Sequence, residues 1–160
     1  MTSDHPSKPW IRRAGLALLL AFVIAALLNA FGQRSETSSA KGPAASLELT
    51  APERVRGGLL FQARLHVRAF REIRQPSLVL DPGWLNGLTQ NTSAPQAKAE
   101  RSDNGRIVLD YDTIPAGQSL VVWLQYQVNP THVGTNDQDV ELWDGQSRLV
   151  HLDRTQTTFP

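Results

Sequence analysis

The chain has 160 residues, with sixteen Lys and Arg against fifteen Asp and Glu, a net charge of +1 and no cysteine. The near-neutral balance gives no electrostatic footprint for nucleic acid. The lack of Cys excludes a disulfide framework, thiol chemistry and Cys-based zinc sites. At about 100 to 200 residues per domain, the length accommodates one domain with its own core beside a single apolar segment.

Residues 1–13 form a short polar, basic tail, with Trp10 placed as an interfacial aromatic just ahead of Arg12 and Arg13. Residues 14–32 follow as a predicted transmembrane helix. Its apolar run, 14–31, carries no charge and would span roughly 27 Å at 1.5 Å per residue, close to the hydrocarbon thickness of a bilayer. Lys8, Arg12 and Arg13 on its N-terminal side place the tail in the cytoplasm and the remainder outside it, at the cell membrane. The alternative is a cleaved signal that releases a secreted domain. Against it stand the length of the run and the absence of a small-x-small site, since Leu28 precedes Asn29 and Ala30. Ala17, Ala21, Ala25 and Asn29 recur every four residues and share one side of the helix, a spacing suited to helix association and to a homo-oligomer. Residues 33–46, rich in Ser, Ala, Gly and Pro, read as a flexible stalk.

From residue 47 the pattern changes to short segments of period two, which assigns 47–160 to one extracytoplasmic domain. Leu47 and Leu49 alternate with Glu48 and Thr50, and Gly57-Gly58 breaks the run. Leu59, Phe61, Ala63, Leu65, Val67 and Ala69 then point one way, and Gln62, Arg64, His66 and Arg68 the other, as in a strand with one buried and one wet face. Pro76 opens a short strand through Leu78 and Leu80, closed by Asp81-Pro82-Gly83. A loop carrying Gly87 and Pro95 leads to the tight-turn signal Asp103-Asn104-Gly105, after which Ile107, Leu109 and Tyr111 share a face. Leu120, Val122, Leu124, Tyr126 and Val128 form the next long strand, and Val140 and Leu142 alternate with Asp137, Asp139, Glu141 and Trp143. Seven or eight strands without helical periodicity predict an all-β, antiparallel immunoglobulin-like β-sandwich. Its core is expected around Phe61, Leu65, Val67, Leu109, Leu124 and Tyr126. Arg64 and Arg68 are expected beside Asp110 and Asp112 on a neighbouring strand.

Val55-Arg56-Gly57-Gly58 before a long alternating strand, the strand and turn over 78–84, and Pro115-Ala116-Gly117-Gln118-Ser119-Leu120 before another strand carry a family resemblance. The domain resembles the bacterial immunoglobulin-like conserved-repeat and cell-adhesion-related (CARDB-like) domains of exported and envelope proteins. The resemblance implies fold and location rather than an activity.

The catalytic inventory is thin. The four histidines stand apart in sequence, with His66 on a polar strand face and His132 and His151 near turns. There is no Gly-x-Ser-x-Gly elbow and no phosphate-binding glycine loop. Asp137, Asp139 and Glu141 alternate in the manner of a strand face offering oxygens to calcium, but lack the spacing of a calcium loop, so the reading is a solvated face paired with arginines. No cofactor or metal is assigned. The expected function is a non-enzymatic, membrane-anchored domain that binds another membrane or envelope protein, with Val121, Trp123 and Trp143 as its partner patch on the outer face of one sheet. A metal-dependent or hydrolytic envelope accessory domain is the alternative.

Overall fold

The computed structural model describes residues 8–27 and 33–160, apart from the side chains of residues 8 and 26. Helix α1 spans Lys8–Leu27 and belongs to a different unit from residues 34–160. Ala17 and Ala21 are exposed and Ala25 half-buried on α1, while residues 28–32, Asn29 among them, lie outside the described residues. Arg12 and Arg13 stand inside α1, and its apolar length is described only to Leu27. Among the described residues no helix is long and apolar enough to cross a membrane.

The second unit is built from strands β1 (Ser35–Lys41), β2 (Ala45–Pro52), β3 (Arg54–Arg56), β4 (Leu60–Ala69), β5 (Pro76–Leu80), β6 (Leu88–Ala94), β7 (Ala99–Asp103), β8 (Arg106–Asp110), β9 (Ser119–Val128), β10 (Gly134–Asp137), β11 (Val140–Asp144), β12 (Ser147–Leu152) and β13 (Thr155–Phe159). A first sheet runs β1-β2-β4-β9-β6, a second runs β12-β11-β5-β8-β7, and a small third runs β10-β13-β3. All pairings are antiparallel except β13 with β3.

Alternation in β4 and β9 aligns their apolar rows across the pair, with Phe61 opposite Tyr126, Ala63 opposite Leu124, Leu65 opposite Val122 and Val67 opposite Leu120. These rows pack against Leu78, Leu80, Leu109 and Leu142 of the second sheet in one buried cluster, which makes the two large sheets a β-sandwich. All six residues expected in the core are buried. Trp84, on a single 3-10 turn at Pro82–Trp84, closes one end of the core and packs against Tyr126 at 5.4 Å between ring centroids. Its indole N–H donates to the Asp139 carbonyl at 3.3 Å. Gly83 permits this turn, because a Cβ there would lie 1.8 Å from the Asp137 carbonyl oxygen.

Several expectations are corrected. Residues 35–41, read as stalk, are an edge strand paired along its length with β2; the Ser and Thr side chains need no core, because the backbone ladder holds the strand and Thr37 Oγ1 meets Thr50 Oγ1 at 2.9 Å. Residues 88–103, read as loop, contain β6 and β7, whose polar sequences hide them from a search for apolar alternation. Leu59 is exposed rather than inward because it belongs to the turn after Gly58, where φ is +81°. Arg64 and Arg68 do not face Asp110 and Asp112: β4 pairs with β2 and β9, whereas β8 lies in the opposite sheet. Asp110 instead pairs with Arg101, and Asp112 with Lys98.

Candidate functional site

The outer face of the first sheet is mixed in character. Its central row places Thr50 of β2, Arg64 of β4 and Trp123 of β9 side by side. Trp123 is 40% exposed and Val121 37% exposed, and the Arg64 guanidinium lies over the Trp123 ring at 5.6 Å from its centroid. A cation held over an indole face is attracted by the ring quadrupole. The next row brings together Glu48, His66 and Val121, with His66 Nδ1 3.6 Å from the Glu48 carboxylate. An exposed Trp capped by Arg on a rigid sheet combines the two residue types most enriched where proteins bind one another.

The outer face of the second sheet carries a charged network instead. At its centre Glu141 is only 6% exposed. Its carboxylate accepts the Arg148 Nη1–H at 2.8 Å, the Trp143 indole N–H at 2.9 Å and the Arg106 Nη1–H at 3.3 Å. Burial by itself pushes the Glu141 pKa up, but these donors and the two guanidinium charges outweigh it and hold the carboxyl below its usual range. His151 lies across the strand pair from Glu141, with Nδ1 3.3 Å from Glu141 Oε1. Its Nε2 is 2.8 Å from Asp153 Oδ1 and 3.9 Å from Asp139 Oδ2. Asp81 sits at the edge of the group, 3.8 Å from Arg106, and burial followed by the Asp139 charge raises its pKa.

Arg154, in the link between β12 and β13, is 5% exposed. It donates from Nη1 to Gln138 Oε1 at 2.7 Å and from Nη2 to the Ala51 carbonyl at 2.9 Å. Gln156 bridges Gln138 to the Pro52 carbonyl. Burial lowers the Arg154 pKa, opposed by the Glu53 and Glu36 charges. A separate cleft of about 480 Å³ is lined by Arg74, Ser77, Lys98, Arg101, Asp110 and Tyr111. Its cations are largely matched in place by Asp110 and Asp112.

The expected patch of Val121, Trp123 and Trp143 is divided. Val121 and Trp123 share the outer face of the first sheet, whereas Trp143 is on the second sheet, half-buried and bound to Glu141. Asp137 also separates from Glu141, because β10 belongs to the third sheet and β11 to the second, with Asp139 in the link between them. His151 is not isolated; a shift of register between Leu142 and Trp143 sets it opposite Glu141. Asp139, His151 and Asp153 offer donor atoms that lie within 4.8 Å of one another, the one such group with metal-ligating chemistry among the described residues.

No protein-family model matches the chain, and no curated protein sequence is similar to it. Among solved structures it is similar to the non-cellulosomal cohesin from the hyperthermophilic archaeon Archaeoglobus fulgidus, with a TM-score of 0.41, 11% sequence identity, and coverage of 69% of this chain and 88% of that chain.

Proposed function

We propose that this chain is a non-enzymatic binding domain of the cell envelope, held at the membrane by its N-terminal segment and docking another membrane or envelope protein through the outer face of β4 and β9. The observation that carries the reading is the half-exposed Trp123 with Arg64 stacked over it on the outer face of the first sheet. Anchoring is supported by Lys8, Arg12 and Arg13 ahead of an uncharged apolar run that continues in the sequence to Phe31. The resemblance of the strand and turn pattern to CARDB-like envelope domains points to the same location. Ala17, Ala21, Ala25 and Asn29 give the segment a small-residue side suited to self-association.

Photo-crosslinking from position 121, beside the intact Trp123, in intact membranes and read by mass spectrometry, tests the docking face. A discrete adduct to one envelope protein is expected, lost in an Arg64→Glu variant that folds normally. An adduct pattern indifferent to that variant would place the docking face elsewhere. A reporter enzyme active only outside the cytoplasm, fused after Pro160, should be active and remain with the membrane; a shortened soluble product would indicate cleavage instead.

A further inference from the structure

The second sheet carries an arrangement that the docking reading neither uses nor needs. We propose that Asp139, His151 and Asp153 form a binding site for a divalent transition cation of the zinc class, with Glu141 as the residue that orients the histidine.

The geometry begins with the β11–β12 hairpin. Asp144 pairs with Ser147 and Trp143 with Arg148, but Leu142 pairs with Val150, so the ladder carries an extra residue, Leu149, on β12. Without it the register would set Val150 opposite Glu141, and the imidazole would turn to the other face of the sheet. A bulge of this kind re-aims a side chain. Here it brings His151 beside Glu141 and towards the two aspartates.

Each donor is then positioned by a contact that leaves its ligating atom facing the others. Glu141, buried and anchored by Arg148 and Trp143, stands 3.3 Å from His151 Nδ1. Nε2 is hydrogen-bonded to Asp153 Oδ1 at 2.8 Å; a metal taking the place of that proton would leave the remaining imidazole proton on Nδ1 facing Glu141, the arrangement that metal-binding histidines favour. Asp139 Oδ1 accepts the Arg154 backbone N–H at 2.8 Å, so Oδ2 turns towards the imidazole. Asp153, with its side chain 85% exposed, is held by its contact with His151 Nε2.

Two donors held by one tetrahedral zinc at about 2.0–2.2 Å lie about 3.4 Å apart. The observed separations from Nε2, 2.8 Å to Asp153 and 3.9 Å to Asp139, bracket that spacing. The charge balance points the same way. Asp81, Asp139, Glu141 and Asp153 bring four carboxylates to this face, against the two guanidiniums of Arg106 and Arg148. A divalent cation supplies the missing charge, and three protein ligands leave a coordination position for water or for a donor from outside the chain. One nitrogen and two carboxylate oxygens suit zinc and its neighbours better than calcium, which takes six or more oxygens.

Calorimetric titration of the full chain, purified in detergent micelles, with zinc chloride at neutral pH tests the site. Saturable binding of one zinc is expected, weakened about tenfold or more by His151→Gln and by Asp153→Asn, and unchanged by His66→Gln. Asp153→Asn serves where His151→Gln lowers the melting temperature, because its exposed side chain carries little packing. Absence of binding up to about 1 mM zinc, or full affinity in Asp153→Asn and His151→Gln, would overturn the site and leave His151 as a hydrogen-bonding partner of Asp153 alone. Neither result bears on the Trp123 face, which lies on the other sheet.

Discussion

Glu141 points outward from its strand, yet Arg148 reaches over it to donate at 2.8 Å, so a carboxylate on the solvent side of a sheet is 6% exposed. The aliphatic stems of Arg148 and Arg106 and the Trp143 ring supply the cover that a second layer of structure would otherwise provide. Replacing Glu141 by Ala leaves the Trp143 N–H and two guanidiniums without their acceptor. The arginines, 54% and 43% exposed, recover part of their hydration, so the expected cost is about 1–3 kcal/mol rather than that of a fully buried pair. Equilibrium urea denaturation of the variant measures it. A midpoint equal to that of the parent would show that the network holds the surface without stabilising the fold.

The core prediction is more severe. Leu65 and Leu124 are fully buried in the first sheet, in the cluster shared with the second, and truncating either to Ala removes apolar contacts and leaves a cavity. Each should cost about 2–5 kcal/mol, a large share of the stability of a single domain. Thermal melts of the two variants check it, and parent-like melting of both would mean the core does not rest on these rows.

These two cases show how far the sequence carries. Leu65 and Leu124 were legible because β4 and β9 alternate strictly between apolar and polar residues, and a buried row on one face is the strongest local signal a strand can send. The outward parity of Glu141 and Trp143 was legible for the same reason. Strands β1, β6 and β7 were not, because they hold their places through backbone ladders at or near sheet edges and bury few side chains. The partnership of Glu141 with His151 was also hidden. The Asp144-Gly145 turn announces a hairpin, but simple counting from it would set Val150 opposite Glu141, and a bulge leaves no trace in polarity alone. Arg106 arrives at Glu141 from a strand thirty-five residues earlier in sequence, a contact set by the order of strands in the second sheet.

Arg154 should be the least replaceable cation in the domain. It is buried with its Nη atoms committed to Gln138 and the Ala51 carbonyl, and a Lys cannot place two donors in that fork. Arg154→Lys is expected to lower stability and Arg154→Ala to lower it further, by about 3 kcal/mol or more, since the buried acceptors then lose their donors. Chemical denaturation of both variants gives the ranking. A Lys variant as stable as the parent would argue that charge, and not the paired geometry, is what the site requires.

The two tyrosines of the chain provide a spectroscopic test of how closed the core is at high pH. Burial pushes the Tyr111 hydroxyl up to about 12 and, together with the Glu100 and Tyr111 charges, raises Tyr126 further still. Both folded values lie above the unfolded value near 10. The neutral phenols therefore contribute stability that is fully present below pH about 10 and is lost as pH rises through the folded values. The native protein should show little tyrosinate absorbance near pH 10, where an unfolded control is half ionised, and then gain it in a steep, cooperative step that coincides with loss of near-ultraviolet circular dichroism. Tyr126→Phe, which gives up only the hydrogen bond to Gln90 at 3.2 Å, should remove half of the absorbance change and move the step to higher pH. Gradual ionisation centred near pH 10 while the circular dichroism is unchanged would mean that both hydroxyls reach solvent in the native fold.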